Sequence, residues 1–565
     1  MLAGQPSWSN VHQHCPWFRD RPRAGGCSAR RRGGRSPPVR PRHVFCLRAC
    51  VMKRVLFIVV DALASRVVLP ALDRGELPHL AQIIEHGVLA PESVAIFPSI
   101  TPAATASLIT GVYPSQHGIA GAYWYDRQEN DVAYYGDDFW VVLKEGFGTF
   151  FDDFLVRLNN ERLRHDTGFE LVEKHGLKAA CLNYLWFRGS TQHEAYTPLL
   201  LRLLPGVSSR KLIPGPQMLS LGDFVTSQEV KAAGDDSWLA TEGGAFRRFG
   251  FSDATTADYL MQIAKADAFP DFTLAYFPDN DFESHSVGPE DALPVLKRFD
   301  ETLGQLMDVY GGCAAMLEQM AIVITGDHSQ CDLYDDVQAA RISLDDVLSD
   351  YHLAAAGRPW DTDDELMVCP NMRAAQIYVR RDADVNRSRL VETLLGEQRI
   401  DQVIWFEGDD APQYCVATAD RGRLRFWRGE AGDSATDSYG TRWRWEGSLA
   451  AVDARLDEGK LTFADYPNAF ERIAGGFFEI SGDLWVTARP GCEFAVPETT
   501  THPGGSHGSL HALDSLSPLI VGGLPATMEV PQQPRSVDVL PLCLQILGID
   551  FELATGRVAN SEVRR

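Results

Sequence analysis

The sequence predicts an α/β protein with a doubly wound sheet that carries helices on both faces. Four continuous apolar runs support this prediction: VLFIVV (55–60), FTLAYF (272–277), AIVIT (321–325) and PLIV (518–521). Such runs, rich in β-branched residues, are typical of central strands that are covered on both faces. Segments with helical periodicity, for example 293–309, separate them. This alternation of strands and helices favours a doubly wound sheet.

The charge of the chain is unevenly distributed. Residues 1–51 contain ten Arg and one Asp but no Lys or Glu, a net charge of +9; the whole chain carries −23, so the remainder carries −32. We expect 1–51 to be a disordered basic extension, because its composition cannot bury enough apolar surface to offset the entropy of ordering. A basic arm or a transit-like peptide is one interpretation. Translation from a start codon upstream of Met52 is the one we favour.

Composition also argues against several classes of protein, including nucleic-acid-binding, membrane-spanning and secreted proteins. An acidic body of this kind is not expected to bind nucleic acid or an anionic membrane nonspecifically, and an anionic substrate would need local positive charge such as metal ions supply. No apolar run reaches the length of about 18 residues that a membrane-spanning helix needs. The segment after Met52 resembles the start of a secretory signal, but Asp61 interrupts it and no small-residue cleavage site follows. Eleven cysteines without a CxxC pair indicate reduced thiols in a cytoplasmic protein.

The predicted sheet leaves two stretches unassigned. Within a catalytic core at 52–350, residues 123–270 are rich in Trp, Tyr and Phe, and we expect them to lie above the sheet as a cap insertion. Residues 351–500 hold short β-like segments broken by acidic and Gly-containing turns. We interpret them as a smaller inserted α+β subdomain, after which residues 501–565 return to the core.

A candidate nucleophile lies in FPSITPAATASLITG (97–111), where Thr101 precedes Pro102 and a helix-forming run. Thr is favoured at an N-cap and Pro at the first helical position. Free N–H groups and the positive end of the helix dipole would then suit a phosphate beside the Thr101 hydroxyl. The alternative is an ordinary capped helix.

Residues that can bind metals end or closely follow three of the four buried runs, at the strand ends where such sheets bind ligands, and the first of them is Asp61 directly after VLFIVV. In PDNDFESHSVGP (278–289), Asp281 and His285 are four residues apart, so one helical turn could direct both toward a metal. Asp327 and His328 follow the AIVIT run, where an irregular turn could do the same. The alternatives are an acidic loop with an exposed His and a polar loop at a strand end.

A further histidine candidate lies in the Gly-rich segment just before the last buried run. His507 in GGSHGSLH could approach a metal closely, because the neighbouring glycines leave room. His502 and His511 are alternative candidates, and for each of the three a surface position is the other interpretation.

Taken in order, Asp, Thr-Pro, Asp-x₃-His, Asp-His and Gly-x-His resemble the type I phosphodiesterase/nucleotide pyrophosphatase family of the alkaline phosphatase superfamily. The segment TGVYPSQHGIAG (110–121) is similar to the family run TG-x-x-P-x-x-HG-I, whose nucleophilic Thr lies ten residues before the Gly. Thr101 lies ten residues before Gly111. SVDVLPLCLQILGI (536–549) also resembles the closing helix of the superfamily. The resemblance covers roughly 52–350 and 500–550.

The resemblance implies an alkaline-phosphatase-like fold and a hydrolase of phosphodiester or pyrophosphate bonds in small phosphate- or phosphonate-containing substrates. It implies two divalent metal ions per chain, Zn²⁺ in the first place and Mn²⁺ as the alternative. It also implies which residues surround each ion: Asp61, Thr101, Asp327 and His328 around one, and Asp281, His285 and His507 around the other. Thr101 would attack phosphorus and pass through a phospho-threonine intermediate.

One position departs from the family pattern. Many members carry an Asn that hydrogen-bonds a phosphoryl oxygen, and Ala122 stands at that position here. A phosphomonoesterase or phosphonate hydrolase on the same site therefore stays open. A sulfatase is disfavoured, because 99–103 read SITPA and lack the pattern C/S-x-P-x-R, and a cofactor-independent phosphoglycerate mutase would use Ser. A non-catalytic binding protein is disfavoured because all seven expected positions are filled.

Overall fold

The computed structural model describes residues 53–135, 153–196, 210–226, 248, 250–408, 412–430, 434–495 and 501–550. The basic extension expected at 1–51 lies outside the described residues, as do parts of 123–270 and 501–565. Among the described residues no helix is long and apolar enough to cross a membrane.

The strands in the described parts of the chain are β1 (Arg54–Val60), β2 (Gly87–Val94), β3 (Tyr123–Asp126), β4 (Asp131–Tyr134), β5 (Ala179–Leu182), β6 (Thr191–Tyr196), β7 (Arg210–Gly215), β8 (Met218–Leu221), β9 (Val225–Thr226), β10 (Phe272–Phe277), β11 (Met320–Thr325), β12 (Cys331–Asp332), β13 (Arg341–Ile342), β14 (Leu366–Asn371), β15 (Ala374–Val379), β16 (Ile400–Glu407), β17 (Gln413–Ala417), β18 (Arg423–Arg428), β19 (Ala435–Thr436), β20 (Arg442–Gly447), β21 (Ala454–Asp457), β22 (Lys460–Phe463), β23 (Leu484–Ala488), β24 (Glu493–Phe494), β25 (Gly505–Ser506) and β26 (Leu516–Gly522).

The α-helices are α1 (Ser65–Asp73), α2 (Pro78–Glu85), α3 (Thr101–Thr110), α4 (Pro114–His117), α5 (Gly168–Lys174), α6 (Asp253–Lys265), α7 (Asp279–Val287), α8 (Leu293–Tyr310), α9 (Cys313–Gln319), α10 (Val337–Ala340), α11 (Leu344–Val347), α12 (Arg387–Leu395), α13 (Ala469–Gly476), α14 (Ala512–Ser515) and α15 (Ser536–Ile546). A π-helix spans Asp153–Arg162 and a 3₁₀ helix spans Leu449–Val452.

A central sheet has the strand order β2-β26-β11-β1-β10-β5-β8-β9. The strands β11, β1, β10, β5 and β8 run parallel, and all four apolar runs of the sequence lie in this sheet. The sheet is mixed, because β26, which contains the run PLIV, pairs antiparallel with β11, and β9 pairs antiparallel with β8.

Helices cover the central sheet on both faces, and β1 shows why its sequence is continuously apolar. Successive side chains of a strand point to opposite faces. Val55, Phe57 and Val59 pack into the core that includes α3 and α15, whereas the alternate residues of β1 pack into the core of α1, α2 and α8. All the apolar side chains of β1 are buried. The predicted α/β fold with helices on both faces is therefore confirmed.

The stretch 123–270 differs from the expected cap. It supplies β5, β8 and β9 to one side of the central sheet, so it does not lie only above it. β5 and β8 are four residues long, AACL and MLSL. Strands this short carry little hydrophobic periodicity, which explains why the sequence did not reveal them.

Within residues 351–500 the structure describes a second sheet, with the strand order β14-β15-β23-β16-β17-β18-β20-β19-β22-β21. The helices α12 and α13 also lie in this stretch. The turn between β14 and β15 reaches the central domain, and it contributes to the site described below.

A candidate two-metal site

The candidate residues meet at one edge of the central sheet. β1 lies between β10 and β11 and runs parallel to both, so the carboxyl ends of these three strands meet at the same edge. Asp61 follows β1 directly, and α7, which carries Asp281 and His285, begins two residues after β10. Asp327 and His328 follow β11 after Gly326.

Thr101 is the first residue of α3, and Ile100 occupies the N-cap position with extended backbone angles. The prediction that Thr101 itself caps the helix was therefore wrong by one residue. The Thr101 hydroxyl has a different partner: its Oγ1 lies 2.9 Å from Nε2 of His328. Thr101 is half-buried, whereas the rest of α3 is buried.

His507 reaches the same edge because β26 runs antiparallel to β11. The start of β26 therefore lies beside the end of β11, and the loop before β26 carries His507. Gly508 has a φ of +120°, and a Cβ there would lie 2.6 Å from the carbonyl oxygen of Asn371. The N–H of Arg373 donates to the carbonyl of His507 over 2.8 Å. The turn between β14 and β15 thus holds the His507 loop.

The side chains form two adjoining groups. In one, Nε2 of His328 lies 3.4 Å from Oδ1 of Asp61 and 3.5 Å from Oδ2 of Asp327. In the other, Oδ2 of Asp281 lies 3.4 Å from Nε2 of His285, and Oδ1 lies 3.7 Å from Nε2 of His507.

The two groups are in contact. The rings of His328 and His507 stack with centroids 3.7 Å apart and planes inclined by 14°. Ligand atoms of Asp61, Asp327 and His328 lie within 4.8 Å of one another, as do those of Asp281, His328 and His507. His328 therefore lies between the two groups, although the sequence assigned it to only one.

The backbone selects the tautomer of each histidine. Nδ1 of His285 lies 2.8 Å from the carbonyl oxygen of Gly505, and Nδ1 of His507 lies 2.8 Å from that of Ser99. Nδ1 of His328 faces its neighbour's carbonyl at 3.1 Å. Because a carbonyl only accepts, each Nδ1 must carry the proton, which leaves a lone pair on each Nε2. This is the tautomer that binds a metal through Nε2.

Four polar atoms in this cluster are buried without a hydrogen-bond partner in the described part of the chain: Oδ1 of Asp61, Oδ2 of Asp327, Nε2 of His285 and Nε2 of His507. Each of these side chains has its other polar atom engaged, for example Oδ2 of Asp61, which accepts from the hydroxyl of Tyr276. Unsatisfied buried polar atoms are costly and therefore rare. All four are metal-ligand atoms, so the residues present fit divalent cations.

The pKa values of the three carboxyl groups in this cluster also indicate that the site suits a cation. Burial raises the pKa of Asp61, and the carboxylates of Asp327 and Asp281 raise it further. Burial also raises the pKa of Asp327. For Asp281 burial acts in the same direction, but His285 and His507 outweigh it and hold that pKa below its usual value. Buried carboxylates repel one another, and a bound cation would remove the repulsion.

The alternative candidates lie in other positions. Nδ1 of His502 lies 3.0 Å from Oε2 of Glu493, and the His502 ring stacks on His285 with centroids 4.1 Å apart. His511 caps α14 through its side chain. Asp279 forms an ion pair with Arg248. The two metal-competent groups found in the described residues contain none of these three residues, and they do not contain His285 either. His285 differs from the three in that its Nε2 lies 3.4 Å from Oδ2 of Asp281.

The position of the family Asn has an unexpected neighbour. The N–H groups of Ala122 and Tyr123 donate to Oδ1 of Asn371 over 2.7 Å and 3.1 Å, and Nδ2 of Asn371 donates to the carbonyls of Tyr123 and Cys369. All hydrogen-bonding positions of this buried amide are used by backbone. Asn371 therefore holds the loop at Ala122, and its amide has no position left for a substrate oxygen.

Sequence reasoning missed three residues that hold the site: Tyr276, Gln330 and Asn371. Tyr276 is the next-to-last residue of β10, and Gln330 lies three residues after Asp327 in the loop that follows β11. Both lie within strand-end segments that the sequence had already identified, so their polar side chains beside metal candidates were an available signal. Asn371 belongs to the stretch 351–500, and only the tertiary structure brings it to Ala122.

Comparisons with known proteins identify a family and a similar fold. The profile of the family "Type I phosphodiesterase / nucleotide pyrophosphatase" matches residues 55–510. Murine ectonucleotide pyrophosphatase/phosphodiesterase 5 has a similar structure, with a TM-score of 0.51 and 13% identity over 88% of this chain and 96% of that chain. A search of curated proteins finds no match. At that identity the structural likeness shows the fold, whereas the profile covers most of the chain. The chain therefore belongs to the type I phosphodiesterase/nucleotide pyrophosphatase family and is a hydrolase of phosphoric ester bonds.

Proposed function

We propose that this hydrolase cleaves phosphodiester or pyrophosphate bonds through a phospho-threonine intermediate on Thr101, at a site of two divalent metal ions. One observation carries the proposal: the hydroxyl of Thr101, at the start of α3, lies 2.9 Å from Nε2 of His328 within a buried Asp/His cluster. A threonine that served only the helix would have no need of this partner.

We propose the seven residues of the sequence prediction as ligands, with Asp61, Thr101, Asp327 and His328 on one ion and Asp281, His285 and His507 on the other. The mixed carboxylate and imidazole donors favour Zn²⁺, with Mn²⁺ as the alternative. When bound, the ions supply positive charge that activates the threonine hydroxyl and stabilises the charge that develops on the phosphoryl group and the leaving oxygen.

The residues of the chain would carry the reaction in two displacements. In the first, Oγ1 of Thr101 forms a bond to phosphorus as the bond to the leaving oxygen breaks, and the threonine proton ends on the released group through solvent. In the second, water attacks phosphorus, the bond to Oγ1 breaks, and the threonine hydroxyl is restored. Free backbone N–H groups at the start of a helix attract the phosphoryl oxygens throughout.

The supporting residues would keep the ligands in place between turnovers. Tyr276 donates to one oxygen of Asp61 and leaves the other directed into the cluster. The N–H groups of Ala62 and His328 donate to Oδ1 of Asp327 over 3.2 Å and 3.0 Å. Such contacts fix the ligand orientations before the substrate arrives, so the protein does not reorganise during the reaction.

Trapping the intermediate tests this proposal. Rapid acid quenching of the holoenzyme during turnover, followed by peptide mass spectrometry, should find one phosphoryl group on the peptide that contains Thr101. Thr101→Ala should lose both the adduct and the activity. A phosphoryl group on another residue, or a Thr101→Ala variant that turns over like the wild type, would contradict the proposal.

A phosphomonoesterase or phosphonate hydrolase is the second candidate, and Ala122 favours it. A family Asn at this position would add a donor to the phosphoryl group, and losing such a donor typically costs about 10²–10³ in rate. We expect bis-p-nitrophenyl phosphate or a nucleoside diphosphate to be turned over faster than p-nitrophenyl phosphate and phosphonoacetate. The reverse order would favour the second candidate.

We also propose that the enzyme works in the cytoplasm on small phosphate compounds. The seven described cysteines are buried and unpaired, which supports a reducing compartment. Thiol titration of the denatured protein, purified without reductant, should find these seven thiols free; a substantial shortfall would contradict the assignment.

A further inference from the structure

Gln330 joins the two halves of the site. It lies in the loop that carries Asp327 and His328, and its side chain is fully buried. Its amide nitrogen donates to Oδ1 of Asp281 and, over 3.3 Å, to the backbone carbonyl of Asp281. Both partners only accept, so the amide NH₂, and not its oxygen, must face them. Gln330, from the loop that carries Asp327 and His328, thus hydrogen-bonds a ligand of the Asp281 group.

The backbone of Gln330 is fixed from two sides. Its carbonyl accepts from Nε and Nη2 of Arg66, over 3.4 Å and 3.2 Å, and Arg66 is held in turn by an ion pair with Asp332 at 2.6 Å. The next residue begins β12, which pairs antiparallel with β25. The loop therefore cannot shift without breaking both contacts.

The side chain of Gln330 is fixed as well. It packs against Gly505, where a Cβ would lie 2.4 Å from Oε1 of Gln330. The carbonyl of Gly505 is the group that accepts from Nδ1 of His285. Gly505 also lies two residues before His507. Gln330 consequently contacts, directly or through Gly505, the segments that carry all three residues of the Asp281 group.

We propose that Gln330 is a positioning residue that couples the two metal sites, holding Oδ1 of Asp281 so that Oδ2 is presented to the ion on the side of His285. The inference rests on the proposed two-metal function. Without the amide, Asp281 would lose the one side-chain donor that the described residues give it besides the histidine ligands, and its carboxylate could rotate more easily. The ion of the Asp281 group would then bind more weakly, while the ligands of the Asp61 group would keep their own contacts.

Gln330→Met tests the inference, because Met has a similar length and lacks the donor. Gln402→Met is the matched control: Gln402 is also fully buried and donates over 2.9 Å to the carbonyl of Ala451, but it lies in the second sheet. Zn²⁺ dissociation constants of the full chain would be measured by competition with a chromophoric chelator. Loss of a contact to a metal ligand typically weakens binding by about 10–100-fold.

We expect one of the two constants to weaken by that factor in Gln330→Met, while the other constant and both constants of Gln402→Met stay unchanged. If Gln330→Met does not fold, Gln330→Leu also lacks the donor and adds no charge, and the same loss at one site is expected. Two unchanged constants, or equal weakening of both, would overturn the role of Gln330. A wild-type chain that binds no metal would instead overturn the proposed function itself.

Discussion

Two clusters of charged side chains are buried in this molecule, and they differ in how their polar atoms are satisfied. In the cluster of Arg535, Glu471 and Asp538, the guanidinium donates to Glu471 over 2.8 Å and to both oxygens of Asp538 over 2.7 Å and 3.0 Å. The second oxygen of Glu471 accepts from Asn468 over 2.7 Å. Every carboxylate oxygen of this cluster therefore has a partner within the protein.

The cluster at the sheet edge is different. There, four ligand atoms of carboxylates and imidazoles of similar burial have no hydrogen bond in the described residues, including Oδ1 of Asp61 and Nε2 of His507. Burial of charged side chains alone therefore does not identify a metal site. A buried cluster whose polar atoms all have partners within the protein, such as that of Arg535, only stabilises the fold. A group of converging ligand atoms that no described residue satisfies does identify a site, since such atoms call for a partner such as a bound cation.

The largest effect is expected at Thr101. Thr101→Ala should reduce kcat by about 10⁴-fold or more, because it removes the attacking oxygen. Stability should fall by only about 1 kcal/mol, the usual value of one hydrogen bond. Thr101→Ser, the matched control, keeps a hydroxyl within reach and should retain substantial activity. Steady-state kinetics and thermal unfolding of both variants measure this, and comparable activity in Ala and wild type would remove Thr101 from the mechanism.

Arg535→Met should show the opposite behaviour. It leaves Glu471 and Asp538 buried without their cation, and breaking a buried pair in this way typically costs about 3–5 kcal/mol. Urea unfolding should register that loss, while kcat per folded molecule and metal content stay unchanged. Loss of bound metal in folded Arg535→Met would show that the two clusters are not independent.

His117 is a buried histidine whose two ring nitrogens both have hydrogen-bond partners, so it contrasts with the histidines of the metal site. Nε2 of His117 lies 2.9 Å from the hydroxyl of Ser107, and its Nδ1 accepts from the N–H of Ile119 over 3.2 Å. Burial, with a contribution from His165, lowers the pKa of His117 from 6.5 to about 3. The unfolded chain therefore binds this proton first as the pH falls. The contribution of neutral His117 to the unfolding free energy is fully present above pH 6.5 and is lost between pH 6.5 and about 3.

His117→Gln should remove part of that acid sensitivity. Between about pH 7.5 and pH 5.5 the wild type should lose about 1 kcal/mol more of its unfolding free energy than His117→Gln does. Urea titrations at the two pH values measure the difference. His175→Gln, at an exposed position, serves as the control and should behave like the wild type. Equal pH slopes in His117→Gln and the wild type would contradict the buried neutral state.

The smallest effect is expected at Asp279, two residues before Asp281. Asp279 pairs with the partly exposed Arg248, and its N–H donates to Asp253 over 2.9 Å. Such ion pairs contribute about 0–1 kcal/mol, so Asp279→Asn should keep activity and metal content. Asp281→Asn should lose both. If Asp279→Asn empties the site and Asp281→Asn does not, the assignment along α7 is wrong.

The sequence predicted the parts of this molecule that local pattern determines. Buried strands appear in the sequence as apolar runs. The positions of Asp61, Asp327 and His328 at strand ends follow from these runs, and parallel neighbouring strands end at one edge of the sheet. The four-residue spacing of Asp281 and His285 likewise follows from helical geometry.

The remaining features depend on contacts between distant segments. β5 and β8 are too short to show a period, and they join the sheet through pairing with β10 and with each other. The helix α3 begins at Thr101, one residue earlier than a Thr101 cap would imply, and the Thr101 hydroxyl lies against His328, which only the tertiary structure brings to it. Asn371 and Ala122 are 249 positions apart in the chain, and no local pattern encodes their contact.

Metal content tests the central claim most directly, that the unsatisfied atoms at the sheet edge receive their partners from bound cations. The purified full chain would be loaded with Zn²⁺, passed through metal-free buffer and analysed for elements, beside Arg535→Met as the control. We predict about two ions per chain in both proteins, the number that a two-metal phosphoryl-transfer site holds. A loaded wild type that retains no metal, with activity that chelators do not change, would contradict the account.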